Sequence, residues 1–372
     1  MLAALAVLPS ATSAQPEDPL RRCIARHAEA QDFSGAVLVQ SKGAETVFTR
    51  GEIDGPGSAP IAANTRFNLG SSSKMFTAVA VAQLVEAGKL GLDDSVGRYV
   101  AGLTPEASKV TIRQLLSHTS GLGNFFQPET REKVQKAQWF RELVPLVAQE
   151  RPNFSPGSKY QYSNSGFLLL GMVVERVSRE HYAHYLRAHI FGPAHMSGTS
   201  LYPGLFSQHA HGWTAWTEKG PQTPPAPLHP SWGTEDRGNP AGAIFSTLAD
   251  MQRFFSALTR GRLVSRSMFR ALITPNATIV PVQDGGDGMS MGLGFATGTF
   301  HGHRWIGHAG GLPGANAETD LFPDDGVTMI VLANRDPPAA TKLYEAVRSA
   351  VFDAHILADC ARHAEVRSSQ QK

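Results

Sequence analysis

Three short runs hold residue types that could together cleave an acyl bond. Ser71-Ser72-Ser73-Lys74 opens a stretch of good helix formers that continues to Ala87. Residues three apart on a helix share a face, so Lys74 projects beside Ser71. A serine hydroxyl is a weak nucleophile until a base takes its proton. A lysine can be that base only if burial or neighbouring positive charge lowers its pKa. The helix N-terminus adds positive potential that favours a developing oxyanion. Taken alone, the same four residues also describe a helix cap followed by a solvated lysine.

The second run, Tyr162-Ser163-Asn164, follows Phe154-Ser155-Pro156-Gly157 and lies between two helical segments. A loop there can present Tyr162 to the nucleophile. As a phenolate, or coupled to Lys74, it can relay the serine proton to a leaving group. Asn164 can hold Lys74 or a substrate amide. The third run, Gly307-His308-Ala309-Gly310-Gly311, sits at a strand end. Its glycines, Gly310 and Gly311 among them, let a substrate backbone lie along the strand edge. The N–H of Gly311 can pair with that of Ser71 as an oxyanion hole. His308 supplies a polar or cationic group. Each run separately is equally readable as packing: a tyrosine against a helical lobe, an asparagine in a turn, a satisfied histidine in a glycine-rich bend.

The elements that must position these runs follow from periodicity. A first helix carries Leu20, Cys23, Ile24 and His27 on one face. Phe33 to Gln40 and Glu45 to Arg50 form a hairpin around Ser41-Lys42-Gly43-Ala44. The Ser71 helix carries Phe76, Val79, Ala80 and Leu84 and stops at Gly88. Further helices are expected over Val110 to Ser117, Phe140 to Glu150 (kinked or restarted by Pro145), Ser165 to Ser178, and Thr247 to Leu258. The run Gly220 to Pro230 holds five prolines and reads as a surface loop. Arg304 to His308, Ala315 to Phe322 and Val327 to Ala333 are strands, and a long helix from Ala340 to about Arg362 closes the chain. Strands at both ends with helices between predict an α/β (α+β) protein. One antiparallel sheet is assembled from both termini, with a mainly helical lobe inserted. The division is 15–94 with 240–372 for the sheet lobe and 95–239 for the helical lobe and its loops.

In order and spacing, the three runs resemble the serine β-lactamase-related family, whose pattern is S-x-x-K, then Y-x-N, then K/H-x-G. That family includes class C β-lactamases, D-alanyl-D-alanine peptidases and related carboxylesterases. Leu115-Leu116-Ser117-His118-Thr119-Ser120-Gly121-Leu122, Pro240-Ala241-Gly242-Ala243-Ile244-Phe245-Ser246-Thr247 and Gly292-Leu293-Gly294-Phe295 look similar too. The resemblance covers roughly residues 20 to 355. It implies helices on both faces of an antiparallel sheet, a helical lobe, and a site between them. It further implies an acyl-enzyme on Ser71 with no metal or organic cofactor. Ser71, Lys74 and Tyr162 would be catalytic; Asn164, His308, Gly310 and Gly311 would bind substrate or oxyanion. His308 stands where most true β-lactamases carry lysine, which resembles the peptidase and esterase branches. The expected substrate is a small ester, amide or D-amino-acid peptide. The alternative is a non-catalytic penicillin- or peptidoglycan-binding module of the same fold.

Composition bounds the remainder. The 372 residues are 42% apolar and 18% charged, enough for a large core. A net charge of +2 without a basic run offers no footprint for nucleic acid or an anionic membrane. No stretch has the apolar length to span a bilayer. Leu2 to Leu8, followed by Thr12-Ser13-Ala14, reads as a signal remnant over residues 1–14, so a periplasmic or secreted protein is expected. Cys23 and Cys360 are the two cysteines. With export, and with both terminal helices on one sheet face as the resemblance implies, they are expected to form a disulfide; two unpaired buried thiols are the alternative. His209-x-His211 and His301-x-His303 lack acidic or cysteine partners at ligand spacing and read as surface or loop histidines. His118 is expected to fix a turn. Trp213, Trp216 and Trp232 either line a pocket or pack the proline-rich loop. Glu318 and Asp320 alternate along a strand and read as a solvated or salt-bridged face.

Overall fold

The structure, a computed structural model, describes residues 18–370 apart from 203, 205–208, 218–219, 228–236 and 282–286. The expected signal remnant, Trp232 and the end of the proline-rich run lie outside the described residues. Among the described residues, twelve strands occur in the order β1 Gly35–Ser41, β2 Ala44–Arg50, β3 Phe67–Asn68, β4 Trp213–Thr217, β5 Gly220–Pro227, β6 Phe245–Ser246, β7 Ala277–Val280, β8 Met289–Met291, β9 Ala296–Phe300, β10 His303–Leu312, β11 Ala315–Phe322 and β12 Val327–Ala333. Eight of them form one sheet in the order β2-β1-β12-β11-β10-β9-β8-β7, antiparallel throughout. The N-terminal hairpin thus pairs with the C-terminal meander through β1 and β12, the expected assembly from both ends. Its turn is tight: Lys42 and Gly43 both have positive φ, the geometry that matches strand twist.

Both faces of the central strands are covered, which is why β12 reads as a nearly continuous apolar run. Ala36, Leu38, Ile330 and Leu332 face the large core built with the Lys74–Glu86 and Leu248–Thr259 helices. Val37, Val39, Met329 and Val331 face the helices Pro19–Ala30 and Ala339–Phe352. Side chains alternate across a strand, so each strand feeds both cores. The Lys74–Glu86 helix is buried almost all round, not along one stripe. Cys23 and Cys360 sit on the first and last helices with Cα atoms 5.2 Å apart and their sulfurs joined. Among the described residues, no helix is long and apolar enough to cross a membrane.

Several boundaries differ from expectation for physical reasons. Val110–Ser117 contracts to a helix over Ile112–Leu116, because Thr111 caps it and accepts from Gln114 N–H. Pro145 restarts a helix at Val144–Ala148 after the turn Phe140–Leu143. The closing helix breaks at Asp353, which is extended. Much of the proline-rich run is a strand: β5 pairs with β4 in a two-strand ribbon separate from the main sheet, and proline is confined to strands that are not paired on both sides. Strands β7, β8 and β9 were not foreseen from periodicity, being short and rich in glycine, threonine and methionine. Trp213 packs against Gly55 and under the Arg335 guanidinium, so it serves loop packing.

Glu318 and Asp320 correct the expected solvated face. Both are buried, because their face of β11 lies under the Ala339–Phe352 helix. Thr341 Oγ1 donates to Glu318 Oε1 at 2.6 Å, and Tyr344 O–H donates to Asp320. Burial raises the Glu318 carboxyl to about 8 and Asp320 to about 6. A carboxyl raised in the folded state binds protons there that the unfolded chain has already lost. Stability must therefore fall as pH rises from the ordinary carboxylate range through about 8. Glu318→Gln, which keeps the acceptor for Thr341, is expected to flatten that decline by ~1 kcal/mol or more between neutral and alkaline pH. Urea unfolding of both proteins across that range measures it; an unchanged slope excludes Glu318 as a source.

Candidate active site

The Ser71 region is a 3-10 turn, Gly70–Ser73, running directly into the Lys74–Glu86 helix. The two-residue pair of β3 with β6 anchors it, together with Leu69 N–H to the Ile244 carbonyl at 2.9 Å and Ala243 N–H to that of Gly70 at 3.1 Å. The neighbouring serines are already engaged. Ser72 Oγ donates to the His308 carbonyl at 2.6 Å; Ser73 Oγ donates to the Gly70 carbonyl and accepts from Ile244 N–H. Ser71, half-buried, lies 3.1 Å from Lys74 Nζ.

Lys74 has no exposed surface. Its Nζ donates to Asn164 Oδ1 at 2.7 Å and to the Ala241 carbonyl. Burial holds its pKa well below that of an exposed lysine. Asn164 begins the Asn164–Ser178 helix, and its Nδ2 donates to Asn124 Oδ1 at 3.0 Å, which fixes which end of the amide meets the lysine. Tyr162 is 36% exposed, but its hydroxyl end is enclosed beside Ser71, which favours the phenolate slightly. Desolvation is the larger effect and raises its pKa. Lys74 Nζ lies 4.8 Å from the Tyr162 ring centroid.

His118 holds Tyr162 from behind. Its ring stacks on the tyrosine ring at 4.3 Å, its carbonyl accepts from Gln161 N–H, and its Nδ1 accepts from Ser163 N–H at 3.0 Å. The backbone on both sides of Tyr162 is thus tied to one residue, itself in a left-handed conformation with φ 57°. This turn-fixing role was expected; its attachment to Tyr162 was not.

Strand β10 closes the site. Its pairing with β9 ends at Gly307, leaving His308 to Leu312 beside the Ser71 turn. A Cβ on Gly310 would stand 1.9 Å from the Leu69 carbonyl oxygen, and one on Gly70 would stand 2.9 Å from Gly311 N. Only paired glycines permit this approach of two backbones. His308 Nδ1 donates to its neighbour's Ala309 carbonyl at 2.5 Å. Burial, and then the nearby Lys74, lower the imidazole to about 4. It is neutral around pH 7, so the cationic form allowed by the sequence does not occur there. Its Nε2 is buried without a protein partner.

Of the predicted residues, Ser71, Lys74, Tyr162 and Asn164 meet directly, and His308, Gly310 and Gly311 flank them. The Ala241 carbonyl and Asn124 were not foreseen. A main-chain oxygen leaves no side-chain signal, although Ala241 lies in one of the quoted similar stretches. Among the described residues, the one cluster of three ligand-type side chains is Cys23, His27 and Cys360 at the terminal helices, and the disulfide takes both of its sulfurs. The His209 and His211 rings lie 4.4 Å apart at a tilt of 44°, and His303 pairs with Asp325.

A family model described as beta-lactamase matches residues 20–352. The chain belongs to the beta-lactamase family. Penicillin-binding protein 4* of Bacillus subtilis (strain 168) is 28% identical over 324 residues, covering 83% of this chain and 69% of that protein. The putative penicillin-binding protein PbpX of the same organism is 28% identical, covering 72% of this chain and 61% of its own. The chain thus spans about two thirds of these relatives. Among solved structures, a penicillin-binding protein from Bacillus halodurans superposes with a TM-score of 0.77 at 26% identity, covering 88% of this chain and 98% of that one. A D-stereospecific amidohydrolase from Streptomyces sp. gives 0.74 at 26%, covering 91% and 99%. The expected fold class, an antiparallel sheet between helices of the β-lactamase and transpeptidase type, is the one observed.

In this beta-lactamase family site the two strand glycines differ in their neighbours. At Gly310 the obstacle is backbone; at Gly311 it is the Pro337 side chain, 2.8 Å from a built Cβ. Gly310→Ala should therefore slow modification of Ser71 by a fluorophosphonate by on the order of a hundredfold, with Gly311→Ala much milder. Labelling rates of the two variants beside wild type decide this. Equal behaviour would show that the backbone approach is not what matters.

Proposed function

We propose that this chain is a serine hydrolase that forms an acyl-enzyme on Ser71 and acts on a small ester, amide or D-amino-acid peptide. One observation carries the reading. Lys74 is fully buried and has two acceptors other than Ser71, Asn164 Oδ1 and the Ala241 carbonyl. A neutral lysine has two N–H donors and one lone pair. With both donors taken, the lone pair is left for the Ser71 hydroxyl at 3.1 Å. That is the arrangement a general base requires.

The reaction runs as two acyl transfers. Ser71 Oγ bonds to the carbonyl carbon as its proton passes to Lys74 Nζ. The carbonyl oxygen takes the charge and is held by the N–H groups of Ser71 and Gly311. The bond to the leaving group breaks, and the leaving group takes a proton through Tyr162. Because desolvation raises Tyr162, it works as a hydroxyl that passes a proton on, not as a standing phenolate. Water then attacks the ester by the reverse route. His308 and Asn164 position the substrate, and a neutral His308 favours uncharged groups over a carboxylate. The related D-stereospecific amidohydrolase supports the amide side of this range. The Cys23–Cys360 bridge supports an oxidising compartment, periplasmic or extracellular.

A turnover screen of short-chain esters, D-amino-acid amides, a D-Ala-D-Ala peptide and a chromogenic cephalosporin tests the proposal. Ester or amide turnover should exceed that of the cephalosporin. Ser71→Ala should abolish turnover, and Lys74→Ala and Tyr162→Phe should each lower kcat by roughly a hundredfold or more, with less than additive combined loss. Rapid acylation of Ser71 without turnover of any substrate would overturn it in favour of a penicillin-binding module.

A further inference from the structure

Behind the proposed base lies a cavity of about 560 Å³ that contains none of the residues discussed for Ser71. Its size falls in the range of small-molecule sites, roughly 300–1,000 Å³. It is bounded by the Phe140 turn, the Asn164–Ser178 helix and the segments around Leu201 and Gly238. Its chemistry is specific. Trp139, 54% exposed, meets Tyr202 edge to face at 6.4 Å, while Phe140 meets Tyr182 at 5.7 Å. Three guanidiniums, Arg141, Arg187 and Arg237, stand against one carboxylate, Glu175, among the described lining residues.

That carboxylate is already engaged. Glu175 Oε1 accepts from Tyr182 N–H at 2.8 Å and from Arg141 at 3.5 Å. Arg237 donates one N–H to the Ala137 carbonyl at 3.2 Å. Burial pushes the Tyr202 phenol up, and the charges of Arg237 and Arg141 pull it back, so both cations act at the same aromatic wall. Aromatic surface beside an excess of guanidinium suits a flat apolar group bearing a carboxylate, which an arginine fork can bind through two oxygens.

The cavity reaches Lys74 only through the chain that follows its wall. Arg237 to Asn239 line it, and the next two carbonyls point the other way. Pro240 O accepts from Thr77 Oγ1 at 2.7 Å, and Ala241 O accepts from Lys74 Nζ. Tyr182, a lining residue, bonds through its hydroxyl to the same Thr77 Oγ1 at 2.6 Å. We propose that this cavity is a ligand site for a small aromatic carboxylate, and that its occupant acts on Lys74 through the Pro240–Ala241 peptide. Only the second half rests on Lys74 being the base; binding stands apart from the reaction.

Calorimetric titration with naphthoate, and with neutral naphthamide as the uncharged control, tests the site. Naphthoate should bind both free enzyme and enzyme whose Ser71 has been blocked with a fluorophosphonate. Arg237→Gln and Trp139→Ala should each weaken it about tenfold, and naphthamide should bind more weakly than naphthoate. Loss of binding on blocking Ser71 would place the ligand in the reaction cleft and overturn the proposal. So would absence of binding at millimolar naphthoate, or affinity indifferent to both substitutions. Saturating naphthoate should also change the rate of Ser71 labelling at least twofold in wild type and not in Arg237→Gln. Binding without that change would remove the coupling and leave the site.

Discussion

A lysine with no exposed surface constrains the rest of this molecule. Removing an ammonium from water costs several kcal/mol unless it is paired or gives up its proton. The hydrogen-bond partners of Lys74 Nζ are neutral oxygens, from Asn164, the Ala241 main chain and Ser71. Burial without a carboxylate partner favours the uncharged amine. Each of those oxygens belongs to a different part of the chain, so the site exists only when the inserted helices and the segment after residue 236 are docked on the Ser71 turn. Lys74 therefore links the assembly of the fold to the chemistry proposed for it.

The second constraint is backbone proximity. The Ser71 turn and β10 approach closely enough that a side chain at Gly310 or Gly70 would collide with main-chain atoms. Such contact lets Ser72 reach the His308 carbonyl and leaves Gly311 N beside the turn. Glycine costs conformational entropy in a strand, roughly 0.5–1 kcal/mol against alanine. In the proposed mechanism it is offset by rigid placement of two N–H groups before any substrate arrives, which is what an oxyanion site needs.

The covered sheet has a further consequence. Because β11 is buried on both faces, residues that alternate along it have no solvent to reach. Glu318 and Asp320 are held by hydroxyls from the Ala339–Phe352 helix and not by water. On the opposite face of the same strand, Thr319 donates to the His308 carbonyl at 2.9 Å. One strand thus couples the packing of a C-terminal helix to the floor of the site.

The sequence alone determined the family pattern, the helix that carries Ser71 and Lys74, the hairpin turn, the helix that follows Thr247 and the sheet built from both termini. These are local signals: spacing on a helix face, capping side chains, glycine punctuation and apolar runs. It did not determine what lies opposite each residue. The alternation of Glu318 and Asp320 looks the same whether that face meets water or a helix, and only the packed structure settled it. The four prolines from Pro221 to Pro227 resemble a loop until β4 is seen beside β5. His118, as local sequence, is a turn residue; its bond to Ser163 spans 45 positions and its stacking on Tyr162 spans 44, beyond any periodic pattern. The Ala241 carbonyl is main chain, identical in every residue, and only tertiary structure could place it against Lys74.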